Sequence, residues 1–151
     1  SLPDGEYRAH MLFRAIPDAQ PAGTPVADTD GVKIEIRPIY GVTIPVIIRK
    51  GQLRATAALS GAALQGSVLS FDLRREGSRS IYGELRAIAG GQSEPVLTMK
   101  GIGVYPEVTS RRFELQLNAE QLAKLKGPVT LQFWETGEAG ATLAAETKAS
   151  F

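Results

Sequence analysis

Residues 67–75 read S-V-L-S-F-D-L-R-R, and Leu69, Phe71 and Leu73 alternate there with polar residues. Because successive side chains of an extended chain point to opposite faces, a period of two predicts a half-buried β-strand. Glu76-Gly77-Ser78 then supplies a turn, and a second alternating stretch begins at Ser80. Two such stretches joined by a short turn that contains glycine predict antiparallel β-structure.

Further turn signals surround this pair of strands at the spacing that is typical of a β-sandwich. The sequence predicts seven strands, at Leu53–Leu59, Ser67–Arg75, Ser80–Ala89, Val96–Val104, Arg111–Leu117, Val129–Glu135 and Thr142–Phe151. Residues at alternate positions are the predicted inward-facing set, namely Leu69, Phe71, Leu73, Ile81, Gly83, Leu85, Phe113, Leu115, Leu117, Val129, Leu131 and Phe133.

One short helix interrupts the predicted strands. Asn118 is a good N-cap, Ala119–Lys126 has a helix-forming composition, and Gly127-Pro128 ends the run. Seven strands and one helical turn within about 100 residues fit a complete immunoglobulin-like β-sandwich. The predicted fold class is therefore all-β, and this sandwich is predicted to occupy residues 51–151.

The first 50 residues carry fewer strands. Tyr7–Ile16 alternates as a half-buried strand does, and Pro17 ends it because proline cannot donate to a ladder. Residues 18–31 form a long polar connection with almost nothing to bury. Residues 32–37 then alternate cleanly between apolar and charged side chains, and Val42–Arg49 is a further strand-like run.

Two or three strands cannot close a pair of sheets by themselves. Lys50-Gly51 is a short polar hinge between two apolar runs and is the predicted domain boundary. Residues 1–50 are therefore predicted to be the last two or three strands of a first immunoglobulin-like domain. The opening Ser1-Leu2-Pro3-Asp4-Gly5 lacks an initiating Met and a signal peptide, so we expect the chain to be a piece of a longer protein.

The chain carries 17 basic and 16 acidic residues, a net charge of +1. This balance does not steer a protein to nucleic acid, and no apolar run reaches the roughly 20 residues that span a bilayer. The chain has no cysteine, which excludes disulfides and thiolate metal sites. The pairs Arg74-Arg75 and Arg111-Arg112 are predicted to be solvated strand faces rather than phosphate sites. We therefore expect no nucleic-acid partner and no membrane insertion.

No residue pattern indicates catalysis. His10 is the single histidine and lies on an alternating strand beside two arginines, so it is predicted to be structural. Asp28-Thr29-Asp30-Gly31 begins like a calcium loop but lacks the later ligands. Trp134 and Tyr105 could form an aromatic platform for a sugar, although packing at the core boundary is the simpler interpretation. The chain is predicted to be no enzyme, with no catalytic residue, no metal site and no cofactor.

The alternating stretch over residues 32–37 has one apolar and one charged face. If this strand lies at a sheet edge, its backbone can pair with a partner while its apolar side chains fill the groove of that partner. The other interpretation is an internal strand whose apolar face packs into its own core. The pattern alone does not separate the two.

Several short motifs resemble the PapD-like periplasmic chaperones of fimbrial assembly. Phe13-Arg14-Ala15-Ile16-Pro17, a long polar loop and a strand that ends in Ile47-Ile48-Arg49 are similar to the last two strands of the first domain in that family. Residues 2–10, the stretch 44–49 and the Arg-rich hairpin 78–83 resemble a divergent bacterial branch of it. The resemblance spans nearly the whole chain, in short motifs.

The resemblance implies a periplasmic chaperone that binds and caps fimbrial or pilus subunits and works with an outer-membrane usher. In this family the strand after the long loop donates alternating hydrophobic residues to a subunit. The partner-binding residues implied by position are Val32, Ile34, Ile36, Pro38, Tyr40 and Arg49. The first three would be the donor side chains, the next two would extend the row, and Arg49 would lie near the domain cleft.

One departure from the family pattern concerns the anchoring of the subunit carboxylate. The family places a lysine in the cleft shortly before the arginine, and this chain has Pro45, or nearby Thr43, at that place. Neither residue carries a charge, so the usual anchoring pair is not expected here.

Two other interpretations follow from the same sequence. The chain is alternatively a structural or adhesive β-sandwich module of a bacterial surface protein, in which the strands before Gly51 serve only their own fold. The other is a small carbohydrate-active domain that rests on Trp134, Tyr105 and the carboxylates. In every case the unpaired strands before Gly51 are expected to pair with missing strands, to associate with a second copy, or to be held against the second domain.

Overall fold

A computed structural model of the protein describes residues 2–16, 39–137 and 139–151. The described chain is all-β, with 68% strand and 5% helix, and its sheets are antiparallel. The elements, in chain order, are β1 Gly5–Arg14, β2 Gly41–Lys50, β3 Ala55–Gln65, β4 Val68–Gly77, β5 Ile81–Ala89, β6 Leu97–Val104, β7 Ser110–Gln116, α1 Ala119–Lys124, β8 Pro128–Gly137 and β9 Gly140–Ser150.

The chain divides into two compact units. The larger unit comprises Ser1–Glu6 together with Arg49–Phe151, and the smaller unit is Tyr7–Ile48. Of the smaller unit, residues 7–16 and 39–48 are described. They contain most of β1 and β2, which pair in a two-stranded sheet that we call the ribbon.

The larger unit contains two antiparallel sheets. One has the strand order β3-β4-β7 and the other β6-β5-β8-β9. The chain therefore moves between the sheets after β4 and after β6, and again after β7 by way of α1. Asn118 caps α1 as expected: its side chain accepts from the backbone N–H of Gln121 at 2.9 Å, and the side chain of Gln121 accepts from the backbone N–H of Asn118 at 3.0 Å.

A single apolar core lies between these two sheets, as in a β-sandwich. Its fully buried members come from both sheets, with Leu69, Phe71 and Leu73 on one side and Leu85, Leu131 and Phe133 on the other. Within the first sheet, Phe71 lies opposite Phe113, and their rings stack with centroids 5.4 Å apart. Such a core is the main source of stability for a domain of this size.

The predicted strands of residues 51–151 are confirmed, with ends that differ by a few residues. The largest difference is β3, which runs to Gln65 because a register shift between Ser60 and Ala63 lets it bend and continue. Of the predicted inward-facing residues, Leu115 is only partly buried and the rest are buried. The helix is confirmed but ends at Lys124, two residues earlier than expected.

Arg75 corrects the expectation that both arginine pairs are solvated. It is only 5% exposed, and its guanidinium donates to the backbone oxygens of Gly77, Arg79 and Pro106. It lies two residues after Leu73, so it continues the inward-facing row of β4. The buried cation thus holds two turns together at the end of the sandwich.

Four of the implied partner-binding residues, Val32, Ile34, Ile36 and Pro38, lie outside the described residues. Within the described part of the chain, no helix is long and apolar enough to cross a membrane. The same residues contain no group of three or more His, Asp or Glu side chains that could hold a metal ion.

Candidate interaction surface

The ribbon has a regular register. The backbone N–H of Ala15 donates to the carbonyl of Tyr40 at 2.9 Å. In an antiparallel ladder, each step forward along one strand is a step backward along the other. Ala15 and Tyr40 therefore place Arg14 opposite Gly41 and, at the other end, Gly5 opposite Lys50. These four residues are also the terminal residues of β1 and β2. Because the two strands are equally long, the ladder joins them from end to end without a bulge.

This register gives the ribbon one face that is apolar along most of its length, with Lys50 at one end. Alternate residues of the two strands share a face, and directly opposed residues have their side chains on the same side. The apolar face of the ribbon consists of Tyr7, Ala9, Met11, Phe13, Val42, Ile44, Val46 and Ile48. The opposite face consists of Arg8, His10, Leu12, Arg14, Gly41, Thr43, Pro45 and Ile47.

The apolar face is exposed to solvent. Its larger side chains Met11, Phe13, Val42, Ile44 and Ile48 are 47–60% exposed. Of the fourteen large apolar side chains that are exposed in the described chain, four (Leu2, Tyr82, Val108 and Leu143) belong to the larger unit and the other ten to the smaller unit, seven of them in the ribbon. Contiguous exposed apolar surface of this kind marks an interaction site, because single scattered residues are normal but a whole strand face is not.

The outer edges of the ribbon are also unpaired within the described residues, where β1 and β2 form a sheet with each other alone. A strand edge presents N–H and C=O groups that can pair with another extended chain. A two-stranded ribbon by itself is at best marginally stable, so elements outside β1 and β2 have to contribute to its stability.

Tyr40 continues the apolar face, because it lies two residues before Val42. Its side chain is 74% exposed. Its carbonyl accepts the hydrogen bond from Ala15 just beyond the ends of β1 and β2. The segment that begins at Val32 leads directly into this residue. The predicted donor row and the exposed apolar face are therefore consecutive in the chain.

Arg49, the last implied binding residue, takes part in a buried carboxylate network of the larger unit. Its Nε donates to Oε2 of Glu6 at 2.9 Å, and its Nη2 donates to the hydroxyl of Ser80 at 3.2 Å. The same Glu6 oxygen accepts from the backbone N–H of Ser80 at 3.0 Å and from its hydroxyl at 2.8 Å. The Glu6 side chain is 0% exposed, whereas that of Arg49 is 47% exposed.

The charge state of Glu6 follows from this network. Burial by itself would raise the pKa of Glu6, but the hydrogen bonds from Arg49 and Ser80 outweigh it and lower the pKa below its ordinary value of 4.5. A carboxyl group with a lowered pKa in the folded state stabilises the fold at a pH above its unfolded pKa. That stabilisation is lost as the pH falls through the folded pKa.

We therefore expect Glu6→Gln to lower the free energy of unfolding by about 1–2 kcal/mol near neutral pH, since it removes charge-assisted hydrogen bonds from a buried site. The difference from the original protein should shrink as the pH falls below the ordinary pKa of 4.5 and through the lower pKa of the folded state, because the carboxyl itself becomes neutral there. Urea unfolding at several pH values measures both effects. Glu120→Gln is the control, because Glu120 is 75% exposed on α1 and should leave the urea midpoint unchanged. A pH-independent loss in the Glu6 variant would contradict the assignment.

Arg49 also lines an open cleft of about 320 Å³ in the larger unit, together with Arg79, Tyr82, Glu135, Thr136, Gly137, Ala139, Gly140 and Thr142. Arg79 forms a bidentate pair with Glu135, one bond of which is 3.2 Å long. Because Arg49 faces Glu6 and Arg79 faces Glu135, these two guanidinium groups bring no surplus positive charge to attract an anion. The cleft is thus a weaker candidate than the ribbon.

Trp134 lies on the outer side of the four-stranded sheet and is half-buried. Its indole N–H donates to Oε1 of Gln132 at 3.0 Å, and the guanidinium carbon of Arg86 lies 4.4 Å from the ring centroid. One ring face is thus covered by a cation, an arrangement that stabilises a boundary tryptophan. The arrangement is that of boundary packing, which was the simpler of the two interpretations of this residue.

Comparisons of the chain with protein-family models, with curated protein sequences and with solved structures gave no match. The function therefore has to be argued from the residues and the geometry.

Proposed function

We propose that the chain is the strand-donating part of a PapD-like periplasmic chaperone that binds and caps fimbrial subunits, and that it has no catalytic role. The observation that carries the proposal is the apolar face of the ribbon, which is exposed and continues at Tyr40 into the predicted donor stretch. A subunit with an incomplete sandwich would offer the complementary groove. The outer-membrane usher would then receive the complex.

The larger unit supports the same proposal. Seven strands in two sheets, with the orders β3-β4-β7 and β6-β5-β8-β9, agree with an immunoglobulin-like second domain. One edge strand of that unit is a contrast to the ribbon, because β7 carries Arg111, Arg112 and Glu114 on its exposed positions. Charged edges resist strand addition, whereas an apolar open ribbon favours it.

The donor mechanism is a matter of backbone pairing and side-chain burial. The strand from Val32 to Tyr40 would pair with the edge of the subunit and insert Val32, Ile34 and Ile36 into its groove. Burial of three such side chains contributes roughly 5–9 kcal/mol before the costs of ordering. That contribution holds a client that would otherwise aggregate, and a competing strand can still replace it.

The test is co-expression with the fimbrial subunit that the proposal expects to be encoded beside the gene of this chain. Ile34→Asp with Ile36→Asp should abolish recovery of the soluble complex, because a charge cannot enter an apolar groove without a partner. Lys33→Asp with Arg37→Asp is the matched control. It introduces the same two side chains on the opposite face and should retain the complex. Undiminished recovery with the first pair would refute the proposal and favour a structural or adhesive module.

A further inference from the structure

Tyr82 of β5 is the aromatic residue that lines the open cleft of the larger unit. Gly103 lies opposite Tyr82 on β6, and a Cβ atom added to Gly103 would lie 3.1 Å from Cδ2 of the tyrosine ring. A Cβ atom added to Gly101 would lie 3.6 Å from the tyrosine hydroxyl. The ring therefore lies over β6, in the space that these two glycines leave open.

This position makes the ring of Tyr82 a platform for a ligand. One side of the ring faces the backbone of β6, yet the residue is 47% exposed. Because the neighbouring strand already limits the movement of the ring, a ligand that stacks on it pays a small cost for ordering the side chain. A tyrosine also offers an apolar surface and a polar hydroxyl in one side chain.

The polar lining of the cleft has balanced charges. Arg79 and Glu135 form a bidentate pair, and their side chains are 24% and 18% exposed. The pair is thus held in place and still open to a ligand. Thr136 and Thr142 add hydroxyl groups, which can both donate and accept. The guanidinium of Arg49 is already paired with a carboxylate.

These features select the chemistry of the ligand. An apolar molecule would remove water from the Arg79–Glu135 pair without replacing the lost hydrogen bonds. An anion would find the guanidinium groups already neutralised. A sugar fits both parts of the lining, since its C–H groups pack on an aromatic ring and its hydroxyls donate to a carboxylate and accept from a guanidinium. The volume of about 320 Å³ lies at the lower end of the range of small-molecule pockets.

We infer that the cleft is a binding site for an uncharged sugar residue, which stacks on Tyr82 and forms hydrogen bonds with Arg79 and Glu135. The site belongs to the larger unit and needs no strand donation, so it goes beyond the proposed function. It also differs from a sugar site at Trp134, because the guanidinium of Arg86 already covers a face of that ring.

The test is saturation-transfer NMR of the full chain with glucose, galactose, mannose and N-acetylglucosamine, and with glucuronate as a charged analogue. We expect transfer to the ring C–H protons of at least one neutral sugar, and weaker transfer to glucuronate. Tyr82→Ala should weaken binding of that sugar about tenfold, whereas Tyr82→Phe keeps the platform and should change it by no more than about twofold. Transfer to none of the four neutral sugars, tighter binding of glucuronate than of all of them, or undiminished binding by Tyr82→Ala would overturn the inference.

Glu135→Gln tests the polar part of the site. It removes a charged acceptor and leaves Arg79 without its counter-charge, so binding of the neutral sugar should fall about tenfold and binding of glucuronate should rise. Glu120→Gln is the matched control on exposed α1 and should change neither. A general loss of structure would lower the binding of both ligands, and circular dichroism checks the fold of each variant. An unchanged preference for the neutral sugar in a folded Glu135→Gln protein would contradict the assigned role of the pair.

Discussion

Phe71→Ala is expected to lower the free energy of unfolding of the larger unit by about 3–5 kcal/mol. Phe71 is fully buried in β4, and its ring stacks on that of Phe113 with the centroids 5.4 Å apart. The substitution leaves a cavity between two sheets that are tied by strand ladders on both sides and cannot close over it. The loss of the aromatic pair adds about 0.5–1.5 kcal/mol to the cost of the cavity.

The measurement is chemical denaturation followed by the fluorescence of Trp134, which belongs to the same unit. Phe13→Ala is the matched control, because it removes the same side chain from the exposed apolar face of the ribbon. We expect this change to alter stability by no more than about 0.5 kcal/mol, as is usual for exposed positions. A cost similar to that of Phe71→Ala would contradict the exposure of the ribbon in solution, and with it the argument for a binding surface. A small cost at Phe71 would contradict the single core.

The fold of residues 51–151 could largely be predicted from the sequence, because burial on one side of a sheet imposes a period of two. Leu69, Phe71 and Leu73 carry that period, and all three are fully buried. The same rule would have predicted the burial of Arg75, which continues the row. The charge of the side chain favoured a solvated position, and one of the backbone carbonyls that accept from the guanidinium, that of Pro106, lies 31 residues away in the sequence.

The exposure of the ribbon face and the Glu6 network could not be predicted from the sequence. The alternation of Tyr7, Met11 and Phe13 predicts an apolar strand face, but whether a face is covered depends on which elements pack against it, and a local pattern does not contain that information. Glu6 gave no signal, since its partners Arg49 and Ser80 are 43 and 74 residues away. The place near the domain cleft that the resemblance implies for Arg49 stays a prediction, as do the roles of Val32, Ile34 and Ile36.

Gly83→Ala is the second substitution with a large expected effect. The sequence places Gly83 in the inward-facing row with Ile81 and Leu85, where an apolar side chain would be expected. At this point β5 has a register shift against β6, and Glu135 of β8 is its partner on the other side. A Cβ atom at residue 83 would lie 1.9 Å from the carbonyl oxygen of Trp134, so there is no space for any side chain.

Because the obstructing atom belongs to the backbone, it cannot move without breaking the β5–β8 ladder. We therefore expect Gly83→Ala to cost about 3 kcal/mol or more, at the upper end of the range for overpacked cores. Gly137→Ala on β8 is the matched control. A Cβ atom at residue 137 would lie 3.6 Å from the backbone oxygen of Gly140, which is an ordinary van der Waals distance. That change should be nearly neutral. Thermal unfolding of both variants is the measurement, and equal transition temperatures would show that β5 and β8 are further apart at Gly83 than the ladder implies.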